Sequence, residues 1–287
     1  MRAKLIPIQY KSFQYKILTP KIMEIPAHFN IKKISPKIDY SLHTEYSYKE
    51  SKYEDKIFKD LYILKDSNYK GVPLLWFNKQ WGEQFFYFIK NLTNEQKIPK
   101  IIEIHPPFKD YCESFDVFLE RYTKFENLIC KHFPDTIILI ENRYGSIYNL
   151  SKFLLSSIDD IEIFIEKLKT KDLNLKIALD IPTLIKVEGG PNKNTINKII
   201  NFMSENKHNN SLILSLHFWG RKNNKVHTGD LDSLFNNDKK LKRDFLYSIS
   251  NILNDNIPRY FLPEVNFASQ EDFESLIQDI SEYFEFV

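Results

Sequence analysis

The sequence predicts a single (β/α)₈ barrel spanning residues 1–287. Eight short apolar runs, rich in β-branched residues, recur along the chain, as expected for strands buried on both faces. Amphipathic segments with apolar residues at three- and four-residue spacing follow the later runs, as expected for helices packed on a sheet. Strands that alternate with helices form parallel sheets, and one barrel of this kind typically needs about 250 residues.

The predicted strands lie at residues 4–9, 21–26, 38–45, 100–105, 136–142, 176–181, 211–218 and 259–266. The first two are short, and no clear helix connects them. Predicted helices lie at residues 115–133, 156–170, 194–206, 240–254 and 269–286, the last beginning with a Ser269 cap that has Asp272 three residues on. The stretch 49–79 predicts a long loop with one or two helices, and 186–195 predicts a rim loop or lid.

The amino-acid composition is compatible with several classes of function and does not choose among them. Hydrophobic residues make up 43% and charged residues 27%, values typical of globular proteins. The 40 Lys and Arg residues nearly balance the 38 Asp and Glu residues, so net charge neither predicts nor excludes a nucleic-acid partner. No apolar run reaches the roughly 18 residues that predict a membrane span. With two cysteines and no export signal, we expect reduced thiols and a cytoplasmic location.

Six of the eight runs end in an ionisable residue of the kind that binds metals. These are His43, His105, Glu141, Asp180, His217 and Glu264. Parallel strands place such residues at the C-terminal mouth of a barrel, where the active sites of this fold lie. Imidazole and carboxylate ligands suit one or two divalent ions, with Zn or Mn expected first. Each residue alone has an ordinary alternative, such as a hydrogen-bonded histidine or, for Asp180, a helix cap or turn before Pro182.

The segments around these residues resemble a known family. They are SLHTEY (41–46), EIHPPF (103–108), LIENRYGS (139–146), IALDIPT (177–183), LSLHFW (214–219) and LPEV (262–265). On these motifs the chain resembles the xylose-isomerase-like barrel superfamily and, within it, the endonuclease IV group. In that group strands three to eight end in His, His, Glu, Asp, His and Glu, the order found here.

The resemblance implies a metal-dependent hydrolase that cleaves phosphodiester bonds in abasic or damaged DNA. By position, Glu141 would bridge two ions, and His43 and His105 would complete one of them. The other ion would be completed by Asp180, His217 and Glu264. Glu141, Glu264 and Asp180 would carry the catalysis, with Glu264 or Asp180 orienting the attacking water. Two ions about 3.5–4 Å apart would hold the phosphate.

The chain departs from the family pattern at the third metal. Thr183 stands where the family has a histidine, and Lys225-Val226-His227 replaces its Asp-x-His, so only His227 remains as a possible additional ligand. Arg221 and Lys225 are candidates for neutralising phosphate charge, with a solvated loop as the alternative. Tyr46 corresponds to an aromatic residue inserted into DNA, with a packed rim tyrosine as the alternative.

The same residues support a second function, sugar or sugar-phosphate isomerisation or epimerisation. Glu141, Asp180, His217 and Glu264 also match the one-metal set of the superfamily's isomerases, in which Glu141 and Glu264 would move the proton. A small sugar or phosphorylated substrate would then replace DNA, with Trp76, Trp81 or Trp219 as an apolar wall or as core residues. A non-catalytic barrel is the third class. The number of bound metal ions and the charge at the mouth of the barrel would distinguish the three classes.

Overall fold

The computed structural model describes residues 2–27, 33–44, 60–66, 68–69, 72–93, 96–144, 152–223, 225–266 and 269–287. Eight parallel strands are hydrogen-bonded in chain order, and the eighth also pairs with the first. They are β1 (Lys4–Gln9), β2 (Ile22–Ala27), β3 (Asp39–Thr44), β4 (Ile101–Ile104), β5 (Ile137–Glu141), β6 (Lys176–Asp180), β7 (Ile213–Phe218) and β8 (Arg259–Pro263). The fold is the (β/α)₈ barrel that the sequence predicts.

Helices occupy most of the connections between these strands. They are α1 (Tyr62–Asp66), α2 (Lys79–Leu92), α3 (Phe115–His132), α4 (Ile158–Lys169), α5 (Ile181–Val187), α6 (Lys193–Glu205), α7 (Leu231–Leu234), α8 (Lys239–Ile252) and α9 (Gln270–Ser281), with a 3₁₀ helix at Lys207–Leu212. Two short antiparallel pairs also form, Asn68–Tyr69 with Val72–Pro73 and Gly220–Lys222 with Lys225–Thr228, the second of which we call the hairpin. No helix in the described ranges is long and apolar enough to cross a membrane.

The chain divides into two compact units. The first contains Met1–Glu24 and Ile177–Val287, and the second contains Ile25–Lys176. In the second unit, α2 and α3 pack through an aromatic cluster in which the Trp76 ring lies 4.7 Å from Trp81 and 5.3 Å from Phe125. In the first unit, Phe261 of β8 contacts Phe218 of β7 at 6.2 Å between ring centroids.

The predicted elements are mostly correct, with two corrections. The helix predicted at 269–286 ends at Ser281, and Glu285–Phe286 instead pairs in parallel with β1, which lets Phe286 pack on Phe261 at 5.4 Å. The loop predicted at 186–195 is a five-residue connection, because α5 runs to Val187 and α6 begins at Lys193. The Ser269–Asp272 capping box is confirmed. Cys112 and Cys130 form no disulfide.

Arg259 joins the start of β8 to its surroundings in the first unit. Its side chain is fully buried. The guanidinium donates to both oxygens of Asp255, at 2.8 and 2.6 Å, and to the backbone carbonyls of Asn210, Ile213, Leu253 and Ile257. A buried cation with this many acceptors is stabilising only while every bond is made.

Replacing Arg259 with alanine removes the guanidinium donors from the Asp255 carboxylate and from four backbone carbonyls. We expect Arg259→Ala to lower the free energy of unfolding by about 3 kcal/mol or more, measured by urea denaturation. Arg243→Ala is the matched control, since Arg243 is 60% exposed and its loss should cost less than about 0.5 kcal/mol. Equal stability of the two variants would contradict the structural role of Arg259.

Candidate metal centre

Four ionisable side chains of the second unit meet at the C-terminal ends of β3, β4 and β5. His43 is the penultimate residue of β3, Glu141 is the last residue of β5, and His105 directly follows β4. Glu103 lies two residues before His105, so both side chains face the same side of the strand. His43 and Glu103 are register partners on neighbouring strands. We call these four residues the His–Glu cluster.

The ligand atoms of the His–Glu cluster are close to one another and buried. The Nε2 atoms of His43 and His105 are 3.2 Å apart, and His105 Nε2 lies 2.9 Å from Glu141 Oε2. His43 Nδ1 lies 3.5 Å from Glu103 Oε1. One ligand atom from each residue falls within 4.8 Å of all the others. His43 is the most exposed of the four, at 9%.

These distances fit a divalent ion. Two nitrogens about 2.0–2.1 Å from a tetrahedral Zn²⁺ lie about 3.3 Å apart, close to the separation of the two imidazoles. A nearby cation would also be favourable for the two carboxylates, because charged groups are costly to bury. Buried histidines and glutamates of the second unit can therefore hold a metal ion, whose identity imidazole and carboxylate ligands do not select.

The surroundings of His105 favour its neutral form, which is the form that binds a metal. Burial lowers the pKa of His105, and the neighbouring positive charge of Arg143 lowers it further, although Glu141 acts in the opposite direction. A neutral imidazole keeps a lone pair for coordination. The adjacent backbone is fixed as well, since Trp76 Nε1 donates to the His105 carbonyl at 2.8 Å. Trp76 and Trp81 are 1% exposed, which makes them core residues.

A second group of predicted ligands lies in the first unit. His217 of β7 is fully buried, and its Nδ1 lies 3.4 Å from Oε1 of Glu264, the residue that follows β8. His227 approaches the same carboxylate, with Nδ1 3.7 Å from Glu264 Oε2. Its ring also stacks on Trp219 at 4.6 Å. Glu264 thus faces two imidazoles.

Asp180 caps α5, one of the alternatives that the sequence left open. Its Oδ1 accepts from the backbone N–H of Thr183 at 2.8 Å, and its Oδ2 accepts from the Thr183 hydroxyl at 2.7 Å. Trp219 Nε1 also donates to Oδ2, at 3.1 Å. Asp180 and His217 are register partners on neighbouring strands. Thr183 is thus a hydrogen-bond partner of the neighbouring aspartate.

The hairpin that carries His227 is held by two close backbone contacts. A Cβ atom on Gly220 would lie 2.2 Å from the Asp230 carbonyl oxygen, and one on Gly229 would lie 1.8 Å from that of Asp272. Only glycine permits such approaches. These contacts fix the chain on both sides of His227, which itself adopts a φ of 57°. The segment 227–232 (HTGDLD) therefore holds the hairpin in place.

Two of the remaining predicted residues, Arg221 and Lys225, lie outside both groups. Arg221 and Lys225 are exposed on the hairpin. Their neighbour Lys222 pairs with Asp272 at 3.0 Å. Tyr46 falls outside the described residues, so its insertion into DNA stays a prediction.

Sequence reasoning missed Glu103 and Arg143. Glu103 interrupts an apolar strand two residues before His105, and that same-face spacing was the available signal. Arg143 lies two residues after Glu141, and its Nη1 donates to both Glu141 oxygens, at 3.1 and 2.9 Å. Proximity in sequence to a candidate carboxylate was its only signal.

Comparison with known proteins supports the fold. No family model and no curated protein matches the sequence. Among solved structures, the chain is similar to the crystal structure of AsfvAP:AG, with a TM-score of 0.51 and 12% identity, over 86% of this chain and 74% of that one. A D-tagatose 3-epimerase-like protein has a TM-score of 0.47 and 11% identity, over 97% of each chain. A xylose isomerase domain protein from Planctomyces limnophilus has a TM-score of 0.44 and 12% identity, over 86% of this chain and 88% of that one.

The placement of Glu103 gives a test of the His–Glu cluster. Its carboxylate faces His43 Nδ1, which would leave His43 Nε2 as the metal-binding nitrogen. Losing such a partner typically weakens metal binding about 10–100-fold. We expect that loss of Zn²⁺ affinity in Glu103→Gln, measured by competition with a chromophoric chelator. Glu166→Gln is the control, because Glu166 is 68% exposed. Unchanged affinity in Glu103→Gln would show that Glu103 has no part in the site.

Proposed function

We propose that this chain is a divalent-metal-dependent enzyme that hydrolyses phosphodiester bonds, with the His–Glu cluster as a metal site. The observation that carries the proposal is the pairing of His43 with His105, whose Nε2 atoms lie 3.2 Å apart beside Glu141. The four-residue isomerase set lacks both histidines. Their placement with Glu141 therefore favours the hydrolase over the isomerase.

The chain's own residues have distinct parts in this proposal. His43, His105 and Glu141 would bind the ion, and Glu103 would orient His43. A divalent ion held there would supply Lewis acidity toward a phosphoryl oxygen and toward water. Burial of the cluster strengthens its electrostatic interactions, because the surrounding apolar strands exclude water. Abasic or damaged DNA is the substrate that we propose first, from the family resemblance.

Asp180, His217 and Glu264 are proposed as ligands of a second ion, with His227 as an additional one. The short distance between His217 and Glu264 supports this assignment. The roles of Asp180 in capping α5 and in bonding Trp219 support a structural contribution as well. The sequence predicts that these ligands and those of the His–Glu cluster form one metal centre. Metal analysis of the purified chain tests the number of ions, since the two groups together would bind two.

The proposed function is tested with His105→Ala. We expect the wild type, supplied with Zn²⁺ or Mn²⁺, to cleave an abasic duplex, and His105→Ala to lose about 100-fold or more in kcat/KM and in metal affinity. Exposed His208→Ala is the control. Isomerisation of a ketose panel without cleavage of the duplex or of a simple phosphodiester would contradict the proposal. Full hydrolysis by His105→Ala would also contradict it.

A further inference from the structure

Arg143 forms the most direct charged contact with the His–Glu cluster. Its Nη1 donates to both oxygens of Glu141, and the nearer one, Oε2, also lies 2.9 Å from His105 Nε2. The Arg143 side chain is 21% exposed, whereas Glu141 is fully buried. The backbone N–H of Arg143 donates to the Leu155 carbonyl at 3.0 Å, which fixes the main chain beneath the guanidinium. The Arg143 side chain therefore extends from Glu141 toward solvent, on a main chain that is held by a hydrogen bond.

A metal ion and Arg143 would require the same carboxylate. One carboxylate oxygen of Glu141 belongs to the set of atoms that can surround an ion, and Arg143 Nη1 already bonds both oxygens. A divalent ion withdraws electron density from a carboxylate oxygen and repels a neighbouring guanidinium. Metal binding should therefore weaken the bond between Arg143 and Glu141. The exposed part of the Arg143 side chain gives the guanidinium room to reorient.

The charge of the cluster points to what the guanidinium would then bind. A divalent ion bound at the cluster would add two positive charges beside Arg143. The group with metal would therefore attract an anion more strongly than the group without it. Guanidinium is also the side chain best matched to phosphoryl oxygens, because its planar fork donates two parallel hydrogen bonds.

We propose that Arg143 is a metal-coupled binding residue for a phosphoryl group. Without metal it is held on Glu141, and with metal it turns to the oxyanion of the substrate. This inference rests on the proposed function, because it takes the His–Glu cluster as a metal site. It adds Arg143, a residue outside the predicted ligand set. It also adds a condition, which is that the phosphoryl group binds well only when the ion is present.

The test measures Zn²⁺ binding and phosphate binding separately, by isothermal titration calorimetry. We expect inorganic phosphate to bind the wild type at least about 10-fold more tightly with Zn²⁺ than without it. Arg143→Gln should lose that gain while its Zn²⁺ affinity stays equal to or exceeds that of the wild type, because a competitor for Glu141 is gone. Arg143→Lys should keep only part of the gain, since an ammonium lacks the planar fork. Exposed Arg243→Gln is the matched control.

Each outcome either supports the inference or overturns it. Equal phosphate affinity with and without Zn²⁺ overturns it, as does wild-type phosphate binding by Arg143→Gln. A weaker Zn²⁺ affinity in Arg143→Gln, with its thermal unfolding unchanged, would make Arg143 a positioning residue for Glu141 and also overturns it. Zn²⁺ that fails to bind the wild type removes the proposed function and this inference together. Dimethyl phosphate, titrated in parallel, separates a site for diesters from one for free phosphate only.

Discussion

Burial of two carboxylates beside two imidazoles is the constraint on which the candidate site depends. Glu103 and Glu141 are 2% and 0% exposed, and both lie in strands whose other residues are apolar. Such groups are costly to bury unless positive charge and hydrogen bonds compensate them. Arg143 supplies one positive charge at Glu141. The distances among one ligand atom of each of the four side chains also fit a divalent ion.

The His–Glu cluster has rigid surroundings. Trp76 bonds the carbonyl of His105, and Arg121 Nη1 in turn donates to the carbonyl of Trp76 at 2.9 Å. Both residues belong to the region where α2 and α3 pack through their aromatic side chains. Movement of His105 would therefore disturb the core. A preorganised ligand set of this kind needs little rearrangement when an ion binds.

The fold could be predicted from sequence because its signals are periodic and local. Apolar runs such as 137–141 leave few alternatives to a buried strand, and the Ser269–Asp272 pair marks the start of a helix. The start of α5 was missed because Asp180 and Pro182 have the composition of a turn, although the same residues begin a helix when the aspartate caps it. The strand at Glu285–Phe286 depends on pairing with β1, a contact distant in sequence.

The site could be predicted only in part, for a related reason. Strand ends identify His43, His105 and Glu141 as ligand types, because buried ionisable residues are unusual at the end of an apolar run. The bond from Arg143 to Glu141 depends on side-chain direction beyond the end of β5, which periodicity does not determine. Asp180 illustrates a second difficulty. An aspartate at a strand end suits a metal ligand and a helix cap equally well. The structure shows the capping bonds of Asp180, which composition alone leaves open.

The central claim is that His43, His105 and Glu141 hold one metal ion, and anomalous X-ray diffraction tests it most directly. Crystals grown with Zn²⁺ and measured on both sides of the zinc absorption edge would locate the ion. We expect an anomalous peak about 2.0–2.2 Å from a nitrogen of each histidine and from an oxygen of Glu141. A peak bound only by other residues, or no peak in the cluster at saturating Zn²⁺, would contradict it.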